Sequence, residues 1–387
     1  MKLLVSEVLP RSAGGAQRSL VEMAENLTQR GHEINLAYER SGELLARYAS
    51  FCAGVIHVPR LRVEERAVRQ VLSVAGSAVR VRHLLPRPDV VHANEFWDLI
   101  FGAFVATLVR RPLVCHLREV PPAELLPLDR WALARATRLV AVSHYLRRRF
   151  EALGVGCGSI AVVHDGVDPS RYRPLAEAQR TATRRNLGIL GDELVVLYAG
   201  RLTPAKGVET LLEAVARLRS SVPRVRLLLL GCHPWTTAEG TYARRLQERR
   251  GPHTWLPPTD DVVPYYGAAD VIVMPSVEPE GLGNVAIEAM ACERPVVACG
   301  VGGLQEVFAD ALAQLLVKPG DPAALASKLA WALGWRQHSP ELGRLCREHV
   351  LRSFTLADVL DGFEQVLWAA RDQPRRLRPR ARVDAWG

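Results

Sequence analysis

The chain has 387 residues, a length that exceeds one ordinary hydrophobic core and therefore indicates two domains. Its net charge of +9 is typical of a protein with an anionic partner, such as a nucleotide, a phospholipid surface or a nucleic acid. The seven scattered cysteines argue against a disulfide or zinc framework and predict reduced thiols in a cytoplasmic protein. Neither a signal peptide nor a run of about 18 apolar residues that could cross a membrane can be recognised.

Short apolar runs alternate with longer amphipathic stretches along both halves of the chain. The runs predicted as strands in the first half are residues 3–5, 90–91, 113–114, 139–142 and 160–163. Those in the second half are residues 194–198, 227–230, 271–274 and 296–298. Continuous apolar strands between helices are typical of parallel sheets covered on both faces. The fold class is therefore α/β, with two consecutive, doubly wound, Rossmann-like domains.

Composition sets the predicted boundaries of these domains. The polar stretch at 169–192 lacks a β-type run and is predicted as a linker with a short helix, between domains at 1–168 and 193–354. Residues 355–370 form an amphipathic helix pattern. The last segment, 371–387, carries six arginines and two prolines and is predicted to be a disordered basic tail.

A glycine pair, Gly14 and Gly15, follows the first predicted strand. Glycines at a strand-to-helix turn let backbone N–H groups approach a ligand at the positive end of the helix. The same pair also suits an ordinary βα turn, and the sequence leaves both interpretations open.

Arg201 and Lys206 lie on the loop after the first strand of the second domain. An arginine fork and a lysine point charge before a helix suit a diphosphate group. The alternative is two solvated surface charges. The loop follows the carboxyl end of a strand, where ligands bind in such sheets, and lysine is rare in this chain, so a ligand site is favoured.

Glu280 and Glu288 flank a glycine-rich turn that leads into an apolar helix. A carboxylate accepts two hydroxyl hydrogens at once, so this pair suits the vicinal hydroxyls of a sugar and a ribose. The backbone amides at Asn284 and Val285 would begin the helix and share the phosphate charge. The alternative is a helix cap at Glu280 and a surface glutamate at Glu288, but the apolar surroundings of Glu288 argue against a solvated face.

The segment from Glu280 to Glu288 resembles the E-x7-E signature of the retaining family 4 glycosyltransferases of GT-B fold. Four other segments resemble this family in the expected order: the N-terminal glycine loop, the interdomain "PNGVD" segment at 163–168, the phosphate loop at 199–207 and the loop at 300–306. The resemblance covers most of the chain and is most specific in the second half.

The resemblance implies a role for each matching residue. Arg201 and Lys206 would bind the donor diphosphate, Glu288 would accept from the ribose hydroxyls, and Glu280 would contact the transferred sugar. Gly15 would let the N-terminal loop approach the donor or the acceptor. The first domain would bind the acceptor, the second the donor, and the helix from residue 355 would cross back to the first domain. The family typically needs no metal and no further cofactor, because the basic pair replaces a cation.

The sequence departs from the family at two places. Arg118 stands where the family often has a histidine that faces the donor sugar, and His116 lies two residues earlier. Alternate strand residues share a face, so either residue could be the catalytic one, and a core histidine is a further interpretation of His116. Asp165 stands where the family has an asparagine, which adds a charge to the interdomain segment.

The resemblance implies a hexosyltransferase-type enzyme that moves a sugar from a nucleotide-diphosphate sugar to an acceptor hydroxyl with retention, in glycan, glycolipid or cell-envelope polysaccharide biosynthesis. A non-catalytic nucleotide-sugar-binding regulatory subunit and a sugar-nucleotide epimerase are the alternatives. A nucleic-acid partner is not expected, because the sequence lacks interleaved aromatic and basic residues.

The stretch at 61–85 interleaves arginines, among them Arg62, Arg66 and Arg69, with valines and leucines. Such a pattern could rest on an anionic membrane surface at its cytoplasmic face and reach a lipid-linked acceptor. The alternative is an ordinary surface helix pair with its apolar face turned inward, and this is the favoured interpretation.

Overall fold

The computed structural model describes residues 1–11, 15–64, 68–156, 160–231, 237–249, 251 and 253–373. Predicted features that fall on the remaining residues, which include Gly14, Arg66 and the basic tail beyond residue 373, lie outside the described part of the chain.

The first domain is a parallel sheet with helices on both faces. Its strands are β1 (Lys2–Glu7), β2 (Glu33–Tyr38), β3 (Gly54–His57), β4 (Val90–Ala93), β5 (Leu113–Leu117), β6 (Arg138–Ala141) and β7 (Ile160–Val162). Its helices are α1 (Gly15–Gln29), α2 (Leu45–Phe51), α3 (Val68–Leu84), α4 (Leu99–Val109), α5 (Pro127–Arg135) and α6 (His144–Ala152), with a 3-10 turn at Phe96–Asp98. The seven strands pair in the order β3-β2-β1-β4-β5-β6-β7.

The second domain repeats this architecture. Its strands are β8 (Leu194–Ala199), β9 (Val225–Leu230), β10 (His253–Leu256), β11 (Val271–Met274), β12 (Val296–Cys299) and β13 (Leu316–Val317), in the order β10-β9-β8-β11-β12-β13. The helices that precede, cover and follow this sheet are α7 (Glu177–Asn186), α8 (Val208–Leu218), α9 (Thr237–Gln247), α10 (Val263–Ala268), α11 (Asn284–Ala291), α12 (Leu304–Val307), α13 (Pro322–Leu333), α14 (Trp335–His338) and α15 (Leu342–Ser353). Two 3-10 turns lie at Pro204–Lys206 and Asp310–Leu315.

The two parallel sheets confirm the predicted α/β class with two Rossmann-like domains. Each predicted apolar run lies in a strand or overlaps one, whereas β2, β3, β10 and β13 were not predicted. Helix α7 lies within the predicted linker and is fastened to the second domain, since the Arg180 and Arg184 guanidiniums donate to the Asp270 carboxylate and to nearby carbonyls.

The chain crosses between the domains twice, and the two crossings lie side by side. The Val167 N–H donates to the Phe354 carbonyl, and the Leu356 N–H donates back to the Val167 carbonyl. A Cβ at Gly166 would lie 2.6 Å from the Thr355 carbonyl oxygen, so only glycine fits at this close approach.

After the second crossing, α16 (Leu356–Arg371) returns to the first domain and packs against α1 and the face of its sheet. Thr355 caps this helix, because its Oγ1 accepts from the Asp358 N–H. The apolar face of α16 then completes one of the two layers of the first domain, through Leu360, Phe363, Val366, Leu367 and Ala370.

Candidate active site

A cleft of about 540 Å³ opens where the two sheets face each other. In each sheet the strand order reverses between the first strand and its later neighbour: β1 beside β4 in one, β8 beside β11 in the other. Loops diverge at such a reversal and leave a crevice at the carboxyl ends of the strands. Residues that follow β1, β8 and β11 line this cleft, so the fold brings both crevices into one site.

The basic loop after β8 forms one side of the cleft. Arg201 and Lys206 both line it, with Lys206 in the short 3-10 turn before α8. Gly207 holds this turn at φ 65°, and a Cβ there would lie 2.0 Å from the Pro275 carbonyl oxygen. The loop therefore packs directly on the segment after β11, which places its charges beside the acidic turn.

Glu280 lies opposite this loop and is bound to it. Its Oε1 accepts from Lys206 Nζ at 2.5 Å and from Ser276 Oγ at 2.5 Å. Burial alone would raise the pKa of Glu280, but Lys206, Ser276 and the nearby Arg201 outweigh it and hold the pKa below its ordinary value. The side chain is therefore a carboxylate at neutral pH.

Glu288 lies two turns further along, on α11, and is buried. Its Oε2 accepts from the hydroxyl of Tyr266 at 2.7 Å, and its Oε1 lies 4.0 Å from Arg18 NH1 of the first domain. Tyr266 thus fixes one carboxylate oxygen, while the other remains turned toward the cleft and the opposite domain. The sequence around Glu288 did not predict that Tyr266 and Arg18 would be its neighbours.

The amino end of α11 lies against the first domain. Asn284 begins the helix, and its Nδ2 donates to Ser19 Oγ at 3.1 Å and to Asp165 Oδ2 at 3.2 Å. Val285 and Gly15 also line the cleft. A Cβ at Gly15 would meet Asn284 Nδ2 at 3.8 Å, an ordinary contact, so space alone does not require glycine there.

The two departures from the family pattern contact each other. Arg118 donates from NH1 to Asp165 Oδ1 at 2.5 Å and from Nε to Asn94 Oδ1 at 3.0 Å. Both charged side chains line the cleft and are largely buried. The charge that Arg118 adds is therefore matched by the charge that Asp165 adds.

His116 does not line the cleft. The prediction that its side chain could face the anomeric centre is therefore wrong. The residue lies inside β5 and points beneath α16, where its Nδ1 is 2.8 Å from His92 Nε2 and its ring packs on Phe363. Burial and the Arg118 charge lower its pKa well below the ordinary value. Arg118 follows the last residue of β5, so strand alternation no longer ties its direction to that of His116.

Sequence reasoning missed the part of the cleft wall that belongs wholly to the first domain. Gln17 Nε2 donates to Glu95 Oε1 at 3.2 Å, Arg62 contacts Glu95 Oε2, and the exposed Glu119 accepts from Trp97 Nε1 at 3.0 Å. Gln17, Arg62, Glu95 and Glu119 all line the cleft. These residues come from four separate segments, and no motif joins them in the sequence.

A second contact between the domains lies outside the cleft lining. The Glu306 carboxylate of α12 accepts from the backbone N–H groups of His144 and Tyr145 at 2.8 and 2.6 Å, at the amino end of α6. The His164 ring approaches the same carboxylate at 3.1 Å. Glu306 therefore caps a helix of the opposite domain and helps to hold the cleft in this form.

Two Rossmann-like domains that face each other across such a cleft define the GT-B architecture. The chain belongs to the family 4 glycosyltransferases: residues 13–171 match the family described as "Glycosyltransferase Family 4", and residues 193–334 match "Glycosyl transferases group 1".

Curated relatives cover most of this chain. It is similar to the D-inositol 3-phosphate glycosyltransferase of Streptomyces avermitilis, with 37% identity over 87% of this chain and 79% of that protein. The protein of the same name from Nocardia farcinica is 32% identical over 95% and 91% of the two chains.

Solved structures share the fold. Anabaena HepE in complex with UDP and glucose superposes with a TM-score of 0.83 at 22% identity, over 95% of this chain and 100% of that chain. Sucrose-phosphate synthase from Thermosynechococcus elongatus gives a TM-score of 0.79 at 22% identity, over 96% and 100% of the two chains. No helix in the described part of the chain has the length and apolar character to cross a membrane.

Proposed function

We propose that this protein transfers a sugar from a nucleotide-diphosphate sugar to an acceptor hydroxyl, with retention at the anomeric carbon and without a metal ion. The observation that carries the proposal is that one cleft holds Arg201 and Lys206 on one side and Glu280 and Glu288 on the other. Anabaena HepE, which shares the fold, was solved with UDP-glucose.

The donor would lie along the second domain. Glu288, with one oxygen fixed by Tyr266, accepts from the vicinal hydroxyls of the ribose. The diphosphate lies between Arg201, Lys206 and the backbone amides at Asn284 and Val285. These groups stabilise the charge that develops on the leaving nucleotide, which is the work that a metal ion would otherwise perform.

The sugar would extend from the diphosphate toward the first domain. Glu280 is held ionised by Lys206 and can accept from hydroxyls of the transferred sugar. The acceptor approaches from the wall of Gln17, Glu95 and Glu119, and Arg118 faces the cleft between the two substrates. Positioning and electrostatics supply most of the rate enhancement in this scheme. The assignment of retention rests on the E-x7-E resemblance.

The first experiment is a donor screen by thermal shift and calorimetry, with UDP-, GDP-, ADP- and TDP-sugars and with EDTA present throughout. We expect one nucleotide to stabilise the protein and the Lys206→Ala and Glu288→Gln variants to lose at least about tenfold in affinity. The Lys318→Ala variant is the matched control, since Lys318 lies outside the cleft lining. Binding that survives both cleft substitutions would refute the donor site.

Turnover distinguishes the enzyme from its alternatives. With the selected donor, we expect slow release of free sugar and nucleotide, and NMR of the first product should show the anomer of the donor. An inverted anomer would refute retention, and full loss of turnover on EDTA treatment would refute metal independence. Binding without turnover supports the regulatory subunit, and a change of sugar stereochemistry on an intact donor supports the epimerase.

A membrane-bound acceptor is a second part of the proposal and rests on α3. One face of this helix packs in the core, but four apolar residues point to solvent, with exposed fractions of 74%, 66%, 43% and 57% for Val68, Leu72, Val79 and Leu84. Exposed arginines on the same helix would contact anionic lipids. Flotation with anionic vesicles tests it: the double variant V68S/L72S should lose binding, and equal binding by neutral vesicles would contradict the lipid assignment.

A further inference from the structure

The part of the cleft that belongs to the first domain has its own charge pattern. We define the acceptor wall as five first-domain residues that line the cleft: Gln17, Arg62, Glu95, Glu119 and Val120. Arg62 is the one cation among these five residues, and two are carboxylates. Such a wall would accept hydrogen bonds from the hydroxyl groups of an acceptor, attract an ammonium group and repel a phosphate group.

The Arg62 guanidinium is already paired with two carboxylates. Its NH2 contacts Glu95, and its Nε donates to Asp98 Oδ1 at 2.7 Å, with Asp98 completely buried behind the wall. A phosphate that recruited this guanidinium would leave the Glu95 and Asp98 carboxylates in a buried site without their cation, which is costly.

Carboxyl groups outnumber the guanidinium around Arg62. Glu7, Glu95 and Asp98 are all buried, and Glu119 lies near enough to repel Glu95. Burial raises the pKa of Glu95, Arg62 lowers it, and Asp98 and Glu119 raise it, with a net value of about 7. Within the described part of the chain, Asp98 Oδ2 is also buried without a hydrogen-bond partner. Three carboxyl groups, those of Glu95, Asp98 and Glu7, therefore surround this one guanidinium, and Glu119 lies near Glu95.

The remaining first-domain arginines that line the cleft are paired as well. Arg118 is bound to Asp165 at 2.5 Å, and Arg18 lies 4.0 Å from Glu288 of the other domain. Glu119, by contrast, is exposed and accepts from the Trp97 ring N–H, so its carboxylate can also meet a substrate. The wall thus presents hydrogen-bond acceptors and negative charge to the cleft.

We propose that the acceptor is a polyhydroxylated molecule without phosphate or carboxylate groups, and that an amino group on it strengthens binding through Glu119. The proposal rests on the function proposed above and names the substrate class of the same cleft. It separates this chain from the relatives whose names specify an inositol 3-phosphate acceptor.

The test compares acceptors that differ in one substituent. Two series serve: myo-inositol, an amino-deoxy-inositol and inositol 3-phosphate; and glucose, glucosamine and glucose 6-phosphate. Each compound is titrated by calorimetry into protein saturated with the nucleoside diphosphate that the donor screen selects, and nucleotide release from the donor is then measured with each.

We expect the amine of at least one series to bind about five- to tenfold more tightly than its parent alcohol, and the phosphate at least about tenfold more weakly. The advantage of the amine should shrink as salt is raised. A phosphate ester that binds as tightly as its parent, or a protein that binds nucleotide but no member of either series, overturns the acceptor class while the donor site stands. Loss of nucleotide binding itself would instead refute the proposed function.

Substitutions test which residue determines the preference among the alcohol, the amine and the phosphate. In Glu119→Gln the amine should lose its advantage over the alcohol, and Glu119→Lys should move the preference toward the phosphate. Glu124→Gln is the matched control: it removes the same charge from an exposed glutamate five positions along the chain, outside the cleft lining, and should keep the wild-type order. An unchanged order in both Glu119 variants overturns the role of Glu119.

Discussion

The ion pair between Arg118 and Asp165 predicts a measurable change in the free energy of unfolding when one partner is replaced. Their side chains are only 3% and 10% exposed, and they meet at 2.5 Å. The substitution Asp165→Asn keeps the shape of the side chain and removes its charge. Arg118 would then keep Asn94 and the introduced amide as partners, but its guanidinium would be buried without a counter-charge.

The expected loss follows from the burial of the pair. Removing one partner of a buried ion pair costs about 3–5 kcal/mol, because the other charge stays desolvated. The introduced amide still offers an oxygen to the guanidinium, so we expect the lower end of this range, about 3 kcal/mol of the free energy of unfolding. Such a loss corresponds to a change of roughly 150-fold in the unfolding equilibrium constant.

Urea denaturation, followed by the fluorescence of the eight tryptophans, measures this loss. The double variant R118H/D165N restores two uncharged groups of the kind that the family often has, so it should be more stable than Asp165→Asn alone. The double-mutant cycle should give a coupling of about 2–3 kcal/mol. A loss below about 0.5 kcal/mol for Asp165→Asn, with additive effects in the cycle, would refute the reasoning.

Three further predictions concern single contacts. Tyr266→Phe removes the hydroxyl that holds Glu288, so it should lower the free energy of unfolding by about 2 kcal/mol and weaken nucleotide binding in calorimetry, whereas Tyr265→Phe should change neither. Thr355→Ala removes the cap of α16 and should cost about 1 kcal/mol in urea titrations; an equal loss in Thr355→Ser would contradict the capping role. The raised pKa of Glu95 means that the folded state holds its proton more tightly than the unfolded state, so this group's contribution to stability should fall as pH rises from about 4.5 to 7. Glu95→Gln should flatten that fall in urea midpoints, and an unchanged slope would contradict the assignment.

Most strands could be predicted from apolar runs, and the missed ones show where that signal ends. β2 carries Asn35 at a fully buried position, which interrupts its apolar run. β13 has only two residues, too few for any pattern, and β10 is only partly buried. These strands are specified by their neighbours in the sheet rather than by their own composition.

The residues on one loop or one helix were the predictable part of the site. Arg201 with Lys206, and Glu280 with Glu288, lie together in the cleft because each pair belongs to a continuous segment. The acceptor wall and the partner of Glu288 come from distant segments, and their meeting depends on the domain arrangement. The prediction placed His116 on the same face as Arg118 because alternate residues of one strand share a face. Arg118 lies beyond the end of β5, so the rule does not apply to this pair.

Because α16 returns to the first domain, that domain is built from two separate segments of the chain. This has a consequence for folding during synthesis. The last strand of the first sheet ends at Val162, but the apolar face that covers it is supplied by residues up to Ala370. At about 5–20 residues per second, a ribosome needs roughly 10–40 s to make the intervening stretch. During that time an apolar face of the first sheet is open, while the second domain can already fold. A chain released before residue 356 would keep this face exposed, so early termination should yield aggregation rather than a smaller active enzyme.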